Sequence, residues 1–344
     1  MSVSLLARKK IQQLVPYQSA RRIGGSGEVW LNANESPEVS EFNYDGDQLN
    51  RYPEFQPQAL IEGYANYAGL ECEQVLASRG ADEAIEVLIR AFCEPGQDSI
   101  VICPPTYGMY SVSAETIGVE IKCVELDENF DPDYAALSQV ETKIIFLCAP
   151  NNPTGTPVSL ETIEAAYDAT DGIVMVDEAY VEFRPEGSAT AAELLPGRER
   201  LVISRTMSKA FAFAGARVGY LLADPAVIDA LRLVRLPYHL SGITQAAALG
   251  ALQHSDVMLS MVSDIRDQRD RLLRELPELG YSVCASEANF VLFGGIDDPQ
   301  QLFRDLLEQD ILIRDVGIPG HLRVTAGTKE ETSVFLETLG RLRA

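Results

Sequence analysis

The sequence has little of what marks membrane proteins and nucleic-acid-binding proteins. No stretch approaches the roughly 18 consecutive apolar residues of a membrane-spanning helix. Basic residues are scarce, because 28 Lys and Arg stand against 51 Asp and Glu, for a formal charge of -23 at pH 7. Binding to a phosphate backbone relies on basic side chains. We therefore expect neither a membrane nor a nucleic acid among the partners of this chain.

Cysteine and histidine are few and show no pairing. The six cysteines form no C-x-x-C pair and most lie in apolar runs, which is typical of reduced core residues. The three histidines show no i,i+4 pair, so neither a zinc site nor a histidine-based triad is expected. Residues 1–22 lack a long apolar segment with a small-residue cleavage site, which argues against a secretory signal. The expected location is the cytoplasm, and no metal is expected.

Short apolar runs alternate with helix-like segments between residues 72 and 235. The runs span residues 75–78, 100–103, 119–126, 143–150, 172–180, 201–205 and 218–223. Several are apolar almost throughout, which indicates that both of their faces are covered, as in a mostly parallel sheet flanked by helices. The pattern predicts an α/β fold of the doubly wound type, with a mostly parallel seven-stranded sheet.

The chain ends differ from this middle part. After residue 236 a long charged helix, which begins near Ser255, precedes shorter and more alternating strand-like runs. That texture predicts a smaller α+β domain with antiparallel pairing. A length of 344 residues is also long for one core. We predict an N-terminal arm over 1–30, a large α/β domain over 31–235 and a small α+β domain over 236–344.

Polar or glycine-bearing segments follow successive apolar runs. They are residues 79–82, 104–110, 151–155, 177–180 and 206–209. In an open parallel sheet, ligands bind beyond the carboxyl ends of the strands. The sequence therefore predicts that these segments converge on one ligand site.

Several of these segments suit a phosphate. Gly80 and Ala81 allow the backbone to approach an anion, and the N-terminus of the following helix offers free N–H groups. Thr206 and Ser208 add hydroxyl groups, and Arg217 can supply a bidentate fork. A small-residue turn alone is usually only a turn, so the phosphate interpretation depends on the whole set.

Another subset suits a pyridoxal ring. Asp177 at a strand end can keep a heterocyclic nitrogen protonated, although a turn cap is the alternative. Tyr180 and Asn152 can hydrogen-bond a ring oxygen, and Tyr107 can stack on a ring face. Lys209 can form a Schiff base with an aldehyde cofactor, whereas most lysines are solvated surface residues.

The ordered series of motifs resembles the fold type I pyridoxal-phosphate aminotransferases, and within them the histidinol-phosphate aminotransferases. The series comprises residues 80–82, Tyr107, NNPTG (151–155), DEAY (177–180), Ser208-Lys209 and Arg217. The resemblance runs almost end to end, from VPYQSARR (15–22) and LNANESP (31–37) to ANFVLF (288–293) and LRVTAGT (322–328).

The resemblance implies a role for each matching residue. Lys209 is similar to the Schiff-base lysine, Asp177 to the partner of the ring nitrogen, Asn152 and Tyr180 to the contacts of the ring oxygen, and Tyr107 to the stacking aromatic. The matching residues of the phosphate cup are Gly80, Ala81, Asp82, Thr206, Ser208 and Arg217, with Tyr52 contributed by the second subunit of a homodimer. The matching substrate residues are Arg323, Arg314, Tyr17, Asn34 and Asn289. The segment from Arg314 to Arg323 is shorter than is usual in the family.

The resemblance also implies a reaction. With pyridoxal 5'-phosphate as cofactor, L-histidinol phosphate and 2-oxoglutarate would give 3-(imidazol-4-yl)-2-oxopropyl phosphate and L-glutamate, a ping-pong transamination in histidine biosynthesis. A neutral Lys209 would act as the base. Two alternatives remain open at this point, namely an aminotransferase that accepts a broad range of aromatic amino acids and a pyridoxal-phosphate-dependent threonine-phosphate decarboxylase.

Overall fold

The computed structural model describes residues 28–37, 52–127, 130 and 132–343. Most of the predicted N-terminal arm, with the predicted substrate contact Tyr17, lies outside the described residues. Strands and helices are numbered below in chain order.

A seven-stranded sheet forms the centre of the larger part. After the short β1 (Val29–Trp30), its strands are β2 (Val75–Ser78), β3 (Ser99–Ile102), β4 (Glu120–Cys123), β5 (Ile144–Cys148), β6 (Ile173–Asp177), β7 (Leu201–Thr206) and β8 (Gly219–Ala223). Their order is β2-β8-β7-β6-β5-β3-β4, and only β8 runs antiparallel to its neighbours. The predicted fold class and mostly parallel sheet are confirmed.

Burial explains why the strands of the large sheet are mostly apolar. Every residue of β2, β3 and β5 to β8 is buried, because helices cover both faces of the sheet. Along β5, for example, Ile145 and Leu147 join one core cluster while Ile144 and Phe146 join the other. The edge strand β4 is only partly buried, which matches its mixed sequence EIKC.

Seven helices belong to this part among the described residues. They are α1 (Gln58–Ala68), α2 (Ala81–Phe92), α3 (Met109–Ile117), α4 (Tyr134–Leu137), α5 (Leu160–Asp168), α6 (Pro225–Val234) and α7 (Gly242–Gln253). Helices α2, α3 and α6 supply one core cluster, and α1, α5 and α7 supply the other. The predicted start of α5 is confirmed, since the Ser159 hydroxyl accepts a hydrogen bond from the backbone N–H of Thr162 at 3.2 Å.

The C-terminal part combines helices with short strands. Its elements are α8 (Ser255–Glu278), β9 (Ser282–Val283), β10 (Phe290–Gly294), α9 (Pro299–Leu307), β11 (Ile311–Leu312), β12 (Leu322–Thr325) and α10 (Lys329–Arg343). Strands β12, β10 and β9 form an antiparallel sheet in that order, and β1 pairs with β11 in parallel. Leu31 extends this link, because its N–H donates to Leu312 at 2.8 Å and its carbonyl accepts from Thr325 at 2.9 Å. These bonds place residues 32–35 beside the large sheet.

Cysteine burial differs from the sequence expectation in part. All six cysteines are free thiols, but Cys123 is exposed, because it lies on the edge strand β4. Of the helices in the described part of the chain, none combines the length and hydropathy that a bilayer span requires.

Candidate active site

A cavity of about 870 Å³ opens at the carboxyl ends of the central strands. Of the predicted site residues, thirteen line it: Asn34, Ala81, Asp82, Tyr107, Asn152, Asp177, Tyr180, Thr206, Ser208, Lys209, Arg217, Arg314 and Arg323. Parallel strands end at the same edge of a sheet, so segments far apart in sequence meet there. Residues 32–35, 314–316 and 323 close the cavity from the side of the C-terminal part.

Lys209 lines this cavity just after β7, and its side chain is partly buried. Its Nζ donates to the backbone carbonyl of Ala33 at 3.1 Å and lies 6.0 Å from the ring centroid of Tyr180. Burial, with a further contribution from the positive charge of Arg323, lowers the pKa of Lys209 to about 8. A substantial fraction of the amine is therefore neutral near physiological pH, as a nucleophile or base requires.

Asp177 is the last residue of β6, and its two carboxylate oxygens differ in their hydrogen bonding. Its Oδ2 accepts a hydrogen bond from the Tyr110 hydroxyl at 2.8 Å. Its Oδ1 is buried and has no hydrogen-bond partner among the described residues. Burial raises the pKa of Asp177 to about 6, an effect that the Tyr110 hydrogen bond partly offsets. A buried acceptor of this kind needs a donor, and the N–H of a protonated heterocycle fits it.

The turn from β2 into α2 is built for a close backbone approach. Gly80 has φ +82°, and α2 starts at Ala81, which lines the cavity. The first N–H groups of a helix have no partner within the helix. A Cβ at Gly80 would lie 2.9 Å from Nη2 of Arg217. The positive φ favours glycine at this position, and a Cβ would also displace the Arg217 guanidinium from the turn.

Hydroxyl groups and the guanidinium meet beside the turn. Ser208 accepts from the Thr206 hydroxyl at 2.9 Å and from Arg217 Nη1 at 3.3 Å, and Arg217 Nη2 contacts Asp82 Oδ2 at 3.2 Å. The Tyr107 hydroxyl donates to the other oxygen of Asp82 at 2.8 Å. The group presents hydroxyl, guanidinium and backbone N–H donors to an anion.

A second polar group lines the opposite wall. The Tyr180 hydroxyl accepts from Asn34 at 3.0 Å and from Asn152 at 3.4 Å, and burial raises its pKa above the usual value. Arg323 Nη1 donates to Asn152 Oδ1 at 2.6 Å, and its Nη2 donates to the carbonyl of Asn32 at 3.3 Å. These two hydrogen bonds hold the Arg323 guanidinium at the cavity wall.

Of three further predicted residues, Arg314 lines the cavity, whereas Asn289 and Tyr52 do not. Arg314 and Arg323 are joined by paired backbone hydrogen bonds of 2.9 and 2.8 Å, so the short segment between them returns Arg314 to the cavity. Asn289 is fully buried behind the wall, where its side chain donates to the carbonyl of Asn34 at 3.2 Å. Tyr52 is 83% exposed and stacks on Tyr238 with ring centroids 4.8 Å apart.

Sequence reasoning missed two features of the site. Tyr110 contacts Asp177, and its position one helical turn after Tyr107 was the available signal. Glu178 and Arg205 form a buried ion pair at 2.7 Å that joins the ends of β6 and β7, with Glu178 directly after Asp177 in the chain. In the described ranges no group of three or more potential metal ligands occurs.

Comparisons with known proteins identify the family of this chain. The family model of aminotransferase class I and II matches residues 25–339. The chain is 50% identical over 303 residues to histidinol-phosphate aminotransferase of Paenarthrobacter aurescens (strain TC1), covering 86% of this chain and 81% of that protein. It is 47% identical over 351 aligned positions to histidinol-phosphate aminotransferase of Salmonella typhi, covering 98% and 97%.

Solved structures share the fold. Histidinol-phosphate aminotransferase from Sinorhizobium meliloti in complex with pyridoxal-5'-phosphate superposes with a TM-score of 0.86 at 22% identity, covering 98% of this chain and 97% of that chain. The histidinol-phosphate aminotransferase from Clostridium acetobutylicum superposes with a TM-score of 0.78 at 26% identity, covering 86% and 91%.

Proposed function

Since this chain belongs to the aminotransferase class I and II family, we propose that it transfers the amino group of L-histidinol phosphate to 2-oxoglutarate, with pyridoxal 5'-phosphate as cofactor. The products are 3-(imidazol-4-yl)-2-oxopropyl phosphate and L-glutamate, and the reaction serves histidine biosynthesis. The observation that carries the proposal is the meeting, in one cavity, of a partly buried lysine with lowered pKa, a buried carboxylate oxygen without a partner among the described residues and a cluster of anion donors.

The residues present fit this cofactor. When bound, pyridoxal phosphate supplies an aldehyde that links covalently to amines and a ring that stabilises negative charge on the substrate carbon. Asp177 would hold the ring nitrogen through Oδ1, and Tyr107 would lie against the ring. Asn152 and Tyr180 would contact the ring oxygen. The phosphate would be held by the predicted cup residues Gly80, Ala81, Asp82, Thr206, Ser208 and Arg217.

Lys209 then moves the proton. Its neutral Nζ would accept the proton from the substrate carbon that bears the amino group and would return it at the aldehyde carbon of the bound cofactor. A pKa near 8 suits both steps, because a base works best when its pKa is close to the operating pH. The donor and the acceptor use the same cavity in turn, so the kinetics are ping-pong.

Arg323 serves both substrates. Histidinol phosphate carries a phosphate where glutamate carries its α-carboxylate, and a guanidinium binds either anion. The hydrogen bonds from Arg323 to Asn152 and Asn32 orient the guanidinium before either substrate enters. Arg314 and Asn34 line the same cavity. The predicted contact Tyr17 lies outside the described residues, and for Asn289 we propose support of Asn34.

We further propose a homodimer in the cytoplasm, with the predicted domains over 31–235 and 236–344. Large apolar side chains are exposed at Tyr52, Leu233, Leu236, Tyr238 and Ile243, which supports a surface that a second subunit covers. Tyr52 would reach the phosphate cup of that subunit. Free cysteines are compatible with a reducing compartment.

The test is an assay of purified protein reconstituted with pyridoxal phosphate. Histidinol phosphate and 2-oxoglutarate should yield glutamate, and Lys209→Ala should abolish both the yield and the borohydride-stable cofactor adduct. Preferential turnover of aromatic amino acids would favour the broad-range aminotransferase. Carbon dioxide release from phosphothreonine would favour the decarboxylase. Either result, without glutamate from histidinol phosphate, refutes the proposal.

A further inference from the structure

We propose that Tyr110 is a positioning residue for Asp177: its hydroxyl holds Oδ2 so that Oδ1 faces the cavity as the acceptor for the cofactor ring nitrogen. The inference rests on the proposed cofactor site. Tyr110 is not among the residues that line the cavity, so its role acts through the carboxylate.

The backbone of Asp177 is already fixed by the sheet. It pairs with Cys148 of β5 and with Ser204 of β7, and its carbonyl accepts from the N–H of Ala149 at 2.9 Å. What the sheet leaves undetermined is rotation about the bond between Cβ and the carboxylate, since that torsion has a broad and two-fold preference. A donor on one oxygen therefore decides where the other oxygen points.

Tyr110 supplies that donor from a rigid position. Its hydroxyl lies 2.8 Å from Oδ2, and both side chains are buried. Its ring stacks on Phe146, with centroids 4.8 Å apart and an interplanar angle of 18°, and meets Tyr107 edge-on at 5.7 Å. Packing against two aromatic rings prevents the hydroxyl from following a rotation of the carboxylate.

The hydroxyl also stays a donor. Burial is the main reason that the pKa of Tyr110 lies well above its usual value, and the negative charge of Asp177 raises this pKa further. The hydrogen bond in turn lowers the pKa of Asp177 against the effect of burial, with a smaller contribution from the backbone N–H of Ala179. Nearby charges do not replace it, because Asp82 and Glu178 both raise the pKa of Asp177. Among described side chains, Tyr110 is the one that lowers it.

The geometry leads to a specific consequence for Tyr110→Phe. The substitution keeps the ring and its stacking but removes the donor. Oδ2 loses its hydroxyl partner, so Oδ1 is no longer oriented, and the buried carboxylate is harder to keep ionised. The cofactor should therefore bind about ten-fold or more weakly, since a hydrogen bond to a charged group has an effect of that order.

The experiment compares holoenzymes by equilibrium dialysis against pyridoxal phosphate, with the visible absorption spectrum as a second measurement. The variants are Tyr110→Phe, Asp177→Asn, the double variant, and Tyr220→Phe as the matched control. Tyr220 is equally buried, but its hydroxyl contacts Met207 Sδ at 3.4 Å instead of the carboxylate. Thermal unfolding without cofactor separates a folding defect from a binding defect.

We expect the dissociation constant to rise about ten-fold for Tyr110→Phe with an altered spectrum, and to change less than about two-fold for Tyr220→Phe. In the Asp177→Asn background, Tyr110→Phe should change it less than about two-fold, because the carboxylate through which it acts is gone. If Tyr110→Phe weakens cofactor binding equally in wild type and in Asp177→Asn, the inference is overturned but the proposed function is not. The same holds if Tyr110→Phe weakens binding in neither background while wild type forms glutamate. A wild type that retains no cofactor would overturn the proposed function together with it.

Discussion

Gly219→Ala tests how the sheet supports the phosphate-binding turn. Gly219 begins β8, opposite Ser78 in the register with β2. A Cβ at this position would lie 2.7 Å from both Cα and the carbonyl carbon of Gly80, and 3.0 Å from the backbone nitrogen of Ala81. These are backbone atoms, so no flexible side chain can move aside to relieve the contact.

The magnitude follows from these distances. Ordinary van der Waals contact begins at 3.4 Å, so the turn must move by about 0.7 Å relative to β8. Overpacking of this kind costs about 1–3 kcal/mol of unfolding free energy. The displaced atoms belong to the proposed phosphate cup, where a shift approaching 1 Å can lower function by about a hundred-fold. We therefore expect cofactor affinity to fall at least ten-fold (about 1.4 kcal/mol).

The assay pairs urea unfolding of the cofactor-free protein with a cofactor titration. Gly340→Ala is the control, because Gly340 lies inside α10 and its nearest neighbour, Leu279 Cδ2, is 3.5 Å from the new Cβ. There alanine should raise the unfolding free energy by about 0.5–1 kcal/mol. A Gly219→Ala protein with unchanged stability and unchanged cofactor affinity would refute the reasoning.

Other predictions concern charged groups in and below the cavity. The rate at which cofactor attaches to the cofactor-free protein should rise with pH and level off above about pH 8, because the reactive neutral form of Lys209 predominates only above its pKa. A rate of attachment that does not depend on pH would contradict this. Arg323→Ala should raise KM for histidinol phosphate and for glutamate by at least about ten-fold while cofactor absorbance persists, and normal glutamate kinetics would count against its role. Glu178→Gln and Arg205→Met should each lower the unfolding free energy by about 3–5 kcal/mol, since each removes one partner of a buried ion pair. The double variant should lose much less unfolding free energy than the sum of the two single losses. Additive losses in urea unfolding would show that the pair is not coupled.

The strands of the large sheet were readable from the sequence for a simple reason. A strand that is covered on both faces is apolar along most of its length, and the runs at 143–150 and 172–180 contain β5 and β6. The segments after these runs also identified the candidate site, because the topology of a parallel sheet brings its strand ends together. Each motif between residues 80 and 217 is a short stretch of consecutive residues, so it can be recognised in the sequence without knowledge of the fold.

Contacts between distant side chains were not readable in the same way. The bond from Tyr110 to Asp177, the ion pair between Glu178 and Arg205, and the position of Asn289 behind Asn34 depend on side-chain directions that no local pattern encodes. The same holds for the pairing of β1 with β11, which joins the two ends of the chain.

By itself, the order of residues determined the layers of this protein, its strands and the set of chemical groups around the cavity, because periodicity and strand-end motifs are local properties. Only the tertiary structure decided which atoms of that set are engaged and which are available. One oxygen of Asp177 accepts a hydrogen bond while the other has no partner in the described part of the chain, and the amine of Lys209 has a pKa near 8. Both properties arise from burial and from neighbours that come together only when the chain is folded.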